Sequence, residues 1–441
     1  MNSERIKKLN NFAFPLLVQS IMGYFIGFTD QAIVARISTP ALAAVGVVSS
    51  FLQMIAGLMG AITLIFNIRG SKKIGAKDDE GLKKEFFSSL LLSLILGVAF
   101  IILFILGRAS LLSSVYALSG QTYNQAIIYS DSMSLYVLIQ LFLFAFGTYF
   151  KIHNNTKWIL IGSTTSSIVN LILDYIFVLG KFGMPKLGVN MAGISTVIAM
   201  SINLMIYAIV LREQLSIEFL NIRKYFKNAI IQLKESLPLM GQEILDGSIF
   251  VVIVNAIILR MGTFEYAGYI IINMLLGFLN IAKYMYGSAT LTLTGISYGE
   301  KNKEDLKAYP KISTKIITAI YIVLGVVFIL TRNYVPAIVS DDVSTQKIVS
   351  LFLAYFIIAN SVSPFTNTYM NALQALGLNV FILYSTAIIN TFILLLMFVS
   401  TSIFNMSLYG IALCVLLDNI LTGIVYYKRY NKEIAKDKEF V

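Results

Sequence analysis

The chain has 441 residues, 57% of them hydrophobic and 13% charged, with a formal net charge of +11. Soluble domains typically carry about 25% charged residues, so this composition excludes an ordinary soluble protein and points to a polytopic membrane protein. One cysteine, Cys414, excludes an intramolecular disulfide and any cysteine metal cluster, and with His153 the only histidine, zinc or haem chemistry is not expected.

Apolar segments of about 20 residues or more, the length that crosses hydrocarbon, recur along the whole chain. In order they cover 12–37, 41–68, 86–107, 124–150, 158–179, 187–211, 237–260, 264–294, 312–331, 346–374, 379–403 and 407–427. No short apolar segment at the start ends in a small-residue cleavage site, so the first span is expected to serve as a retained targeting signal. With the N-terminus placed inside, 26 of the 34 Lys and Arg fall in cytoplasmic segments, and Lys283 stays within a span. Arg69, Lys72, Lys73, Lys77, Lys83 and Lys84 crowd one such loop; Lys301, Lys303, Lys307, Lys311 and Lys315 crowd another. The positive-inside rule then places both termini in the cytoplasm of a cell-membrane protein. These basic loops are expected to meet anionic lipids rather than nucleic acid.

The sequence repeats itself. Pro15 aligns with Pro238, Thr39 and Ala43 with Thr263 and Ala267, and Gly75, Lys77, Glu80, Leu82 and Lys83 with Gly299, Lys301, Glu304, Leu306 and Lys307. Further on, Tyr149 meets Tyr369, Asn170 meets Asn390, and Gly193-Ile194 meets Gly410-Ile411. Each half holds six spans, an even number, so both halves enter the membrane the same way. The expected fold is therefore an all-α membrane protein of twelve transmembrane helices, in two six-helix lobes related by an axis along the membrane normal, with a site near mid-depth. The lobes are expected over 1–212 and 236–441. Between them, 213–235 spaces Phe219, Ile222, Phe226, Ile230 and Leu233 three or four apart, with Arg223, Lys224, Lys227 and Lys234 among them. That pattern predicts an amphipathic helix on the cytoplasmic membrane surface.

Polar residues at membrane depth are the functional candidates. Asp30 interrupts the first span, and Asn170 and Asp174 interrupt the fifth. A carboxylate at the centre of a span costs about 2.5–3.5 kcal/mol on insertion scales and faces a protein interior or a wet cavity. Residues four apart share a helix face, so Asn170 and Asp174 point the same way, as in a cation or proton site. Glu243 and Asp246 open the seventh span, Lys283 lies deep in the eighth and Asp418 deep in the last. Lys283 is expected either to neutralise one of these acids or to serve a substrate site, since an unpaired buried charge costs several kcal/mol. Asp131 reads as interfacial, His153 as a solvated loop residue and Trp158 as an interfacial anchor. Met54, Met274 and Phe278 are candidates for an adaptable apolar pocket. No phosphate-binding glycine loop or nucleophile constellation occurs, so enzyme activity is not expected.

Several segments resemble the multidrug and toxic compound extrusion (MATE) family. Phe14-Pro15-Leu16 through Phe28-Thr29-Asp30-Gln31-Ala32-Ile33-Val34-Ala35-Arg36 resembles its first span, and Ala41-Leu42-Ala43-Ala44-Val45-Gly46 its next motif. Asn170-Leu171-Ile172-Leu173-Asp174-Tyr175-Ile176-Phe177 followed by Leu187-Gly188-Val189-Asn190-Met191-Ala192-Gly193-Ile194-Ser195-Thr196 is similar to its fifth and sixth spans. The resemblance covers almost the whole chain. It implies export of an organic, cationic or amphipathic compound by an antiporter that runs on inward Na⁺ or H⁺ flow and needs no other cofactor. It assigns the N-lobe cation site to Asp30, Asn170 and Asp174, with Thr196 the match for a sixth-span threonine, and the seventh-span acid to Asp246. Asp246, Glu243 and Lys283 would then belong to the substrate cavity of a protein expected to act as a monomer. Two departures bear on coupling. The tenth span has no acid between Ile357 and Tyr369, and Leu373-Gln374-Ala375-Leu376-Gly377 lacks the arginine of the family motif; both favour N-lobe coupling. Asp30, Asn170, Asp174 and Thr196 supply enough oxygens for Na⁺, whereas a proton needs one carboxylate. The competing expectation is a flippase for a lipid-linked oligosaccharide or other lipid precursor, which a cationic midline would favour.

Overall fold

The computed structural model describes residues 2–215 and 222–436, which are all-helical apart from turns, with no strand among the described residues. In chain order the helices are α1 (Asn2–Ala35), α2 (Thr39–Gly75), α3 (Asp79–Ser110), α4 (Gly120–Ser132), α5 (Tyr136–Ile152), α6 (Lys157–Leu173), α7 (Gly188–Val210), α8 (Arg212–Leu215) and α9 (Ile222–Ile244). There follow α10 (Val251–Leu259), α11 (Thr263–Leu279), α12 (Ile281–Gly299), α13 (Lys303–Leu330), α14 (Val335–Val339), α15 (Val343–Ala359), α16 (Ser363–Leu376), α17 (Asn379–Ser402) and α18 (Ser407–Lys436). Among the described residues nine helices are long and apolar enough to cross a membrane, or up to twelve when each bent pair counts as one span. The bent pairs are α4 with α5 (44°), α11 with α12 (45°) and α15 with α16 (42°). Each apolar segment read from the sequence falls on one helix, on one such pair or, for 158–179 and 237–260, on a helix continued through a π-helical turn.

Contacts divide the chain into two compact units, one of Phe14–Gly70 and Asp78–Ser236, the other of Met1–Ala13, Ser71–Lys77 and Leu237–Val441. The core of the first unit gathers Val48, Leu52, Phe104, Tyr129, Val137, Leu141 and Val178. A second aromatic layer surrounds Phe86, whose ring lies 4.7 Å from Tyr149 and 5.6 Å from both Phe66 and Phe146. Helix α9 docks on this layer through Tyr225, stacked 5.3 Å from Phe87. The buried face of α9 is Tyr225, Asn228, Ala229, Gln232 and Ser236, while Phe226 and Ile230 point outward. Phe219 lies outside the described residues. The inner face is polar because it satisfies a buried acid: Glu85 pairs with Arg69 at 2.8 Å and accepts from Asn228 at 3.0 Å and Gln232 at 2.7 Å. The helix then runs unbroken through Pro238 to Ile244.

In the second unit Val254, Ile258, Ile272, Val349, Leu353, Ile393, Leu408 and Ile411 form the core. The C-terminal ends of α2 and α12 cross closely here: a methyl added at Gly75 would strike the Ile296 backbone, and one at Gly299 the Lys72 backbone. Arg5 joins the same unit by pairing with Asp305 at 2.6 Å and Glu304 at 3.2 Å. The repeat is also visible in backbone geometry. Lys77 and Lys301 both adopt φ +57, the left-handed turn that ends one helix before the next. Each is followed by a capping residue, Asp78 accepting from Gly81 N at 2.8 Å and Asn302 from Asp305 N at 3.1 Å. Such a cap contributes about 1 kcal/mol to the helix it opens.

Candidate functional site

Asn170 lies in the last turn of α6, and the following turn, Asp174–Val178, is π-helical. The wider turn inserts a residue into the helix register, a device common at functional sites, and it starts at the carboxylate itself. Asn170, Asp174 and Ser195 are all buried. Ser195 of α7 donates its hydroxyl to Asp174 Oδ1. Asn170 Nδ2 donates to Ser195 Oγ at 3.2 Å, and stands 3.5 Å from both Asp174 Oδ2 and Thr196 Oγ1. Thr196 donates to the Ala192 carbonyl at 2.9 Å, and Ser195 Oγ stands 3.1 Å from the same carbonyl. Rotating the Asn170 amide would exchange its donor for an acceptor, giving a set of neutral oxygens beside the carboxylate.

Asp30, Asp174 and Thr196 line one cavity of about 490 Å³ in this unit, together with Gln31, Gln53 and Tyr136. Its wall is stiffened where Ser49 and Tyr129 share a hydrogen bond of 3.1 Å. Asp30 Oδ1 is buried and has no hydrogen-bond partner among the described residues. A buried acceptor without a donor is costly, and a cation or a proton relieves that cost. The lining includes two acids and no Lys or Arg, so the cavity suits positive charge. Ser195 is the residue that sequence reasoning passed over in favour of its neighbour Thr196. The signal was the buried small-residue face Ala192–Ser195–Ala199, one helical turn apart, which turns Ser195 toward α6.

The second unit places Asp246 in another π-helical turn, Leu245–Phe250. Asn390 Nδ2 donates to Asp246 Oδ1 at 2.7 Å, and Gln242 Nε2 lies 3.4 Å from Oδ2. Asn390 is the repeat mate of Asn170, so in each half the same asparagine is set beside an aspartate. Glu243 is exposed. Lys283 is buried, but it does not pair with an acid among the described residues: its ammonium lies 3.5 Å from Ser363 Oγ and 4.9 Å from the Tyr284 ring centre. The ion pair expected with Glu243, Asp246 or Asp418 is not formed, because Lys283 faces α16 while Asp246 faces α17. Asp418 stands beside Thr422 at 3.4 Å, and Asp131 pairs with Arg108 at 2.6 Å. His153 is exposed and stacks 4.2 Å from Tyr149, and Lys157 lies over the Trp158 ring. Met54 and Met274 are half-exposed and lie outside the 490 Å³ cavity, whose lining includes Met133 instead. Phe278 packs on Phe328.

The MatE family model matches residues 15–176 and again 238–399, the two halves of the repeat. A probable multidrug resistance protein NorM of Photorhabdus laumondii is 25% identical over 351 residues, covering 77% of this chain and 76% of that protein. Its counterpart of the same name in Bacillus subtilis is 21% identical over 370 residues, 80% of this chain and 78% of that protein. Among solved structures, the Vibrio cholerae MATE transporter VcmN in its bent form is 18% identical and covers 100% of this chain and 99% of its own, with a TM-score of 0.89. A MOP superfamily transporter from Pyrococcus furiosus, for which reverse polarity of the binding pocket suggests a different function, has a TM-score of 0.80 at 20% identity, covering 98% of this chain and 96% of its own. The fold is thus the twelve-helix, two-lobe membrane fold of these transporters, and the chain belongs to the MatE family of multidrug and toxic compound extrusion proteins.

Proposed function

We propose that this protein is a cation-coupled antiporter that exports organic, cationic or amphipathic compounds by alternating access. The observation that carries the reading is the meeting of Asp30, Asp174 and Thr196 on one 490 Å³ cavity, with an acceptor oxygen of Asp30 left without a donor among the described residues. Cation binding at Asp30 and Asp174, assisted by Asn170 and Thr196, would bias the balance between inward- and outward-open forms by its different affinity for each. The number of oxygens favours Na⁺ over H⁺, since Na⁺ needs several ligands together. Asp246, Glu243 and Lys283 are assigned to the substrate cavity of the C-lobe, 236–441, which would move against the N-lobe, 1–212, with 213–235 as the connection. The protein acts as a monomer in the cytoplasmic membrane, both termini inside, an orientation supported by the Lys and Arg bias. A flippase for anionic lipid precursors is the weaker reading, because the cavity carries two acids and no base.

Proteoliposomes holding a fluorescent organic cation test this directly, with an imposed Na⁺ or proton gradient as the driving force. Gradient-driven transport by the wild type and its loss in Asp174→Asn are the expected results. Full gradient-driven transport by Asp174→Asn would remove the carboxylate from coupling, and lipid flipping with no efflux of any tested compound would reverse the two readings.

A further inference from the structure

Two grooves of about 550 Å³ each open at corresponding places in the two halves. The first lies between the end of α3 and α4, with Arg108 in its wall; the second lies between the end of α13 and α15, with Arg332 in its wall. Arg108 and Arg332 stand at the same spacing in the sequence as Gly75 and Gly299, so the grooves are repeat mates. Their charge is not alike. Arg108 is neutralised by Asp131 at 2.6 Å. In the second groove no lining residue is acidic, and Lys347 adds a second cation. Neither Arg332 nor Lys347 forms an ion pair among the described residues.

The groove lies at the end of α13 remote from the lysine-rich segment 301–315, hence at headgroup level on that side of the membrane. Ser350 Oγ donates to the Arg332 carbonyl at 3.0 Å, which fixes the arginine backbone against α15. Below the cations the surface turns apolar: Leu351, Tyr355 and Ile358 on α15 and Val327 on α13 are all exposed. A cationic mouth above an exposed apolar strip is the profile of an amphipathic anion lying along the helices. A free phosphate would leave the apolar strip unused. We infer that this groove holds an anionic phospholipid, its phosphate between Arg332 and Lys347 and an acyl chain along Leu351, Tyr355 and Ile358. On the proposed orientation this lipid belongs to the outer leaflet.

Native mass spectrometry of the detergent-purified protein, titrated with dioleoyl phosphatidylglycerol or dioleoyl phosphatidylcholine, tests the site. Arg332→Gln/Lys347→Gln should weaken phosphatidylglycerol binding about tenfold or more, from the attraction of two cations at a membrane surface. The same variant should leave phosphatidylcholine binding unchanged, and Arg332→Lys/Lys347→Arg should restore the phosphatidylglycerol affinity. Lys347→Gln alone, an exposed change that leaves the fold intact, should give a partial loss of about threefold to fivefold. Equal phosphatidylglycerol affinity in the wild type and both glutamine variants would overturn the proposal. Displacement of the lipid by soluble glycerol phosphate at comparable concentration would also overturn it, by showing a site for free phosphate.

Discussion

Ser195 joins the two polar residues of the fifth span: its hydroxyl donates to Asp174, and Asn170 donates to Ser195 across 3.2 Å. Ser195→Ala removes a donor from the carboxylate and an acceptor from the amide together. A buried polar group left unsatisfied costs about 1–3 kcal/mol, so half-saturation of efflux by the coupling ion should rise about tenfold or more. Ser195→Thr keeps the hydroxyl and should keep the wild-type value. An unchanged half-saturation in Ser195→Ala would place the serine outside the site.

Glu85 is held by Arg69, Asn228 and Gln232, and its side chain is only 2% exposed. Removing one partner of a buried pair costs about 3–5 kcal/mol. Arg69 keeps Glu235 at 2.9 Å and is 28% exposed, so Glu85→Gln should cost less, about 2–3 kcal/mol. Reversible unfolding in detergent would measure it. Wild-type stability in Glu85→Gln would mean that α9 docks through Tyr225 and its apolar contacts alone.

The twelve spans were legible because hydropathy alone sets their length, and the repeat was legible because Gly75 and Gly299 meet opposing backbone that no side chain would fit. The interruptions inside spans were not. Asn280, between α11 and α12, sits in an apolar run that gives no sign of the bend, whereas the turn at 360–362 between α15 and α16 was marked by Asn360-Ser361 and Ser363-Pro364, polar and proline residues read as part of one span. The π-helical turns at Asp174 and Asp246 were equally hidden, since one inserted residue leaves the apolar pattern intact. The buried Arg69–Glu85 pair was missed for a different reason. Both residues border a basic loop, where charge reads as solvated, and only the polar face of α9 converts them into core. Within the candidate site, the residue types at Asp30, Asn170 and Asp174 were readable, while the choice between adjacent Ser195 and Thr196 depended on which way α7 turns.

Lys283 is a buried ammonium with no carboxylate partner among the described residues, resting on Ser363 and Tyr284. An uncompensated buried charge is costly, of order several kcal/mol, so replacing it by an apolar side chain of similar length removes a desolvation penalty. Lys283→Met should therefore melt at a higher temperature than the wild type while its efflux profile across cationic and zwitterionic dyes changes. Lys283→Arg should retain the wild-type profile. A stabilised Lys283→Met with an unaltered profile would confine Lys283 to a packing role.

Asp342 caps α15 outside the membrane, accepting from Thr345 Oγ1 at 2.6 Å and Thr345 N at 2.7 Å. The Thr345 hydroxyl and then its backbone N–H hold the Asp342 carboxyl below its ordinary value of 3.8. A depressed carboxylate stabilises the folded form above its unfolded pKa and loses that contribution as pH falls through the folded value. Melting temperature should thus drop more steeply below about pH 4 in the wild type than in Asp342→Ala. Parallel acid profiles would show that the cap has no part in acid sensitivity.

The central assignment is that Asp30 and Asp174 bind the ion that drives export. Its most direct test is efflux from proteoliposomes at fixed pH while external Na⁺ is replaced stepwise by choline. Coupling by Na⁺ predicts that efflux falls with Na⁺ and that Asp174→Asn is slow at every Na⁺ concentration. Efflux that ignores Na⁺ but collapses with the proton gradient would make the carboxylates proton carriers. Efflux that ignores both gradients and the Asp174→Asn substitution would contradict the assignment itself.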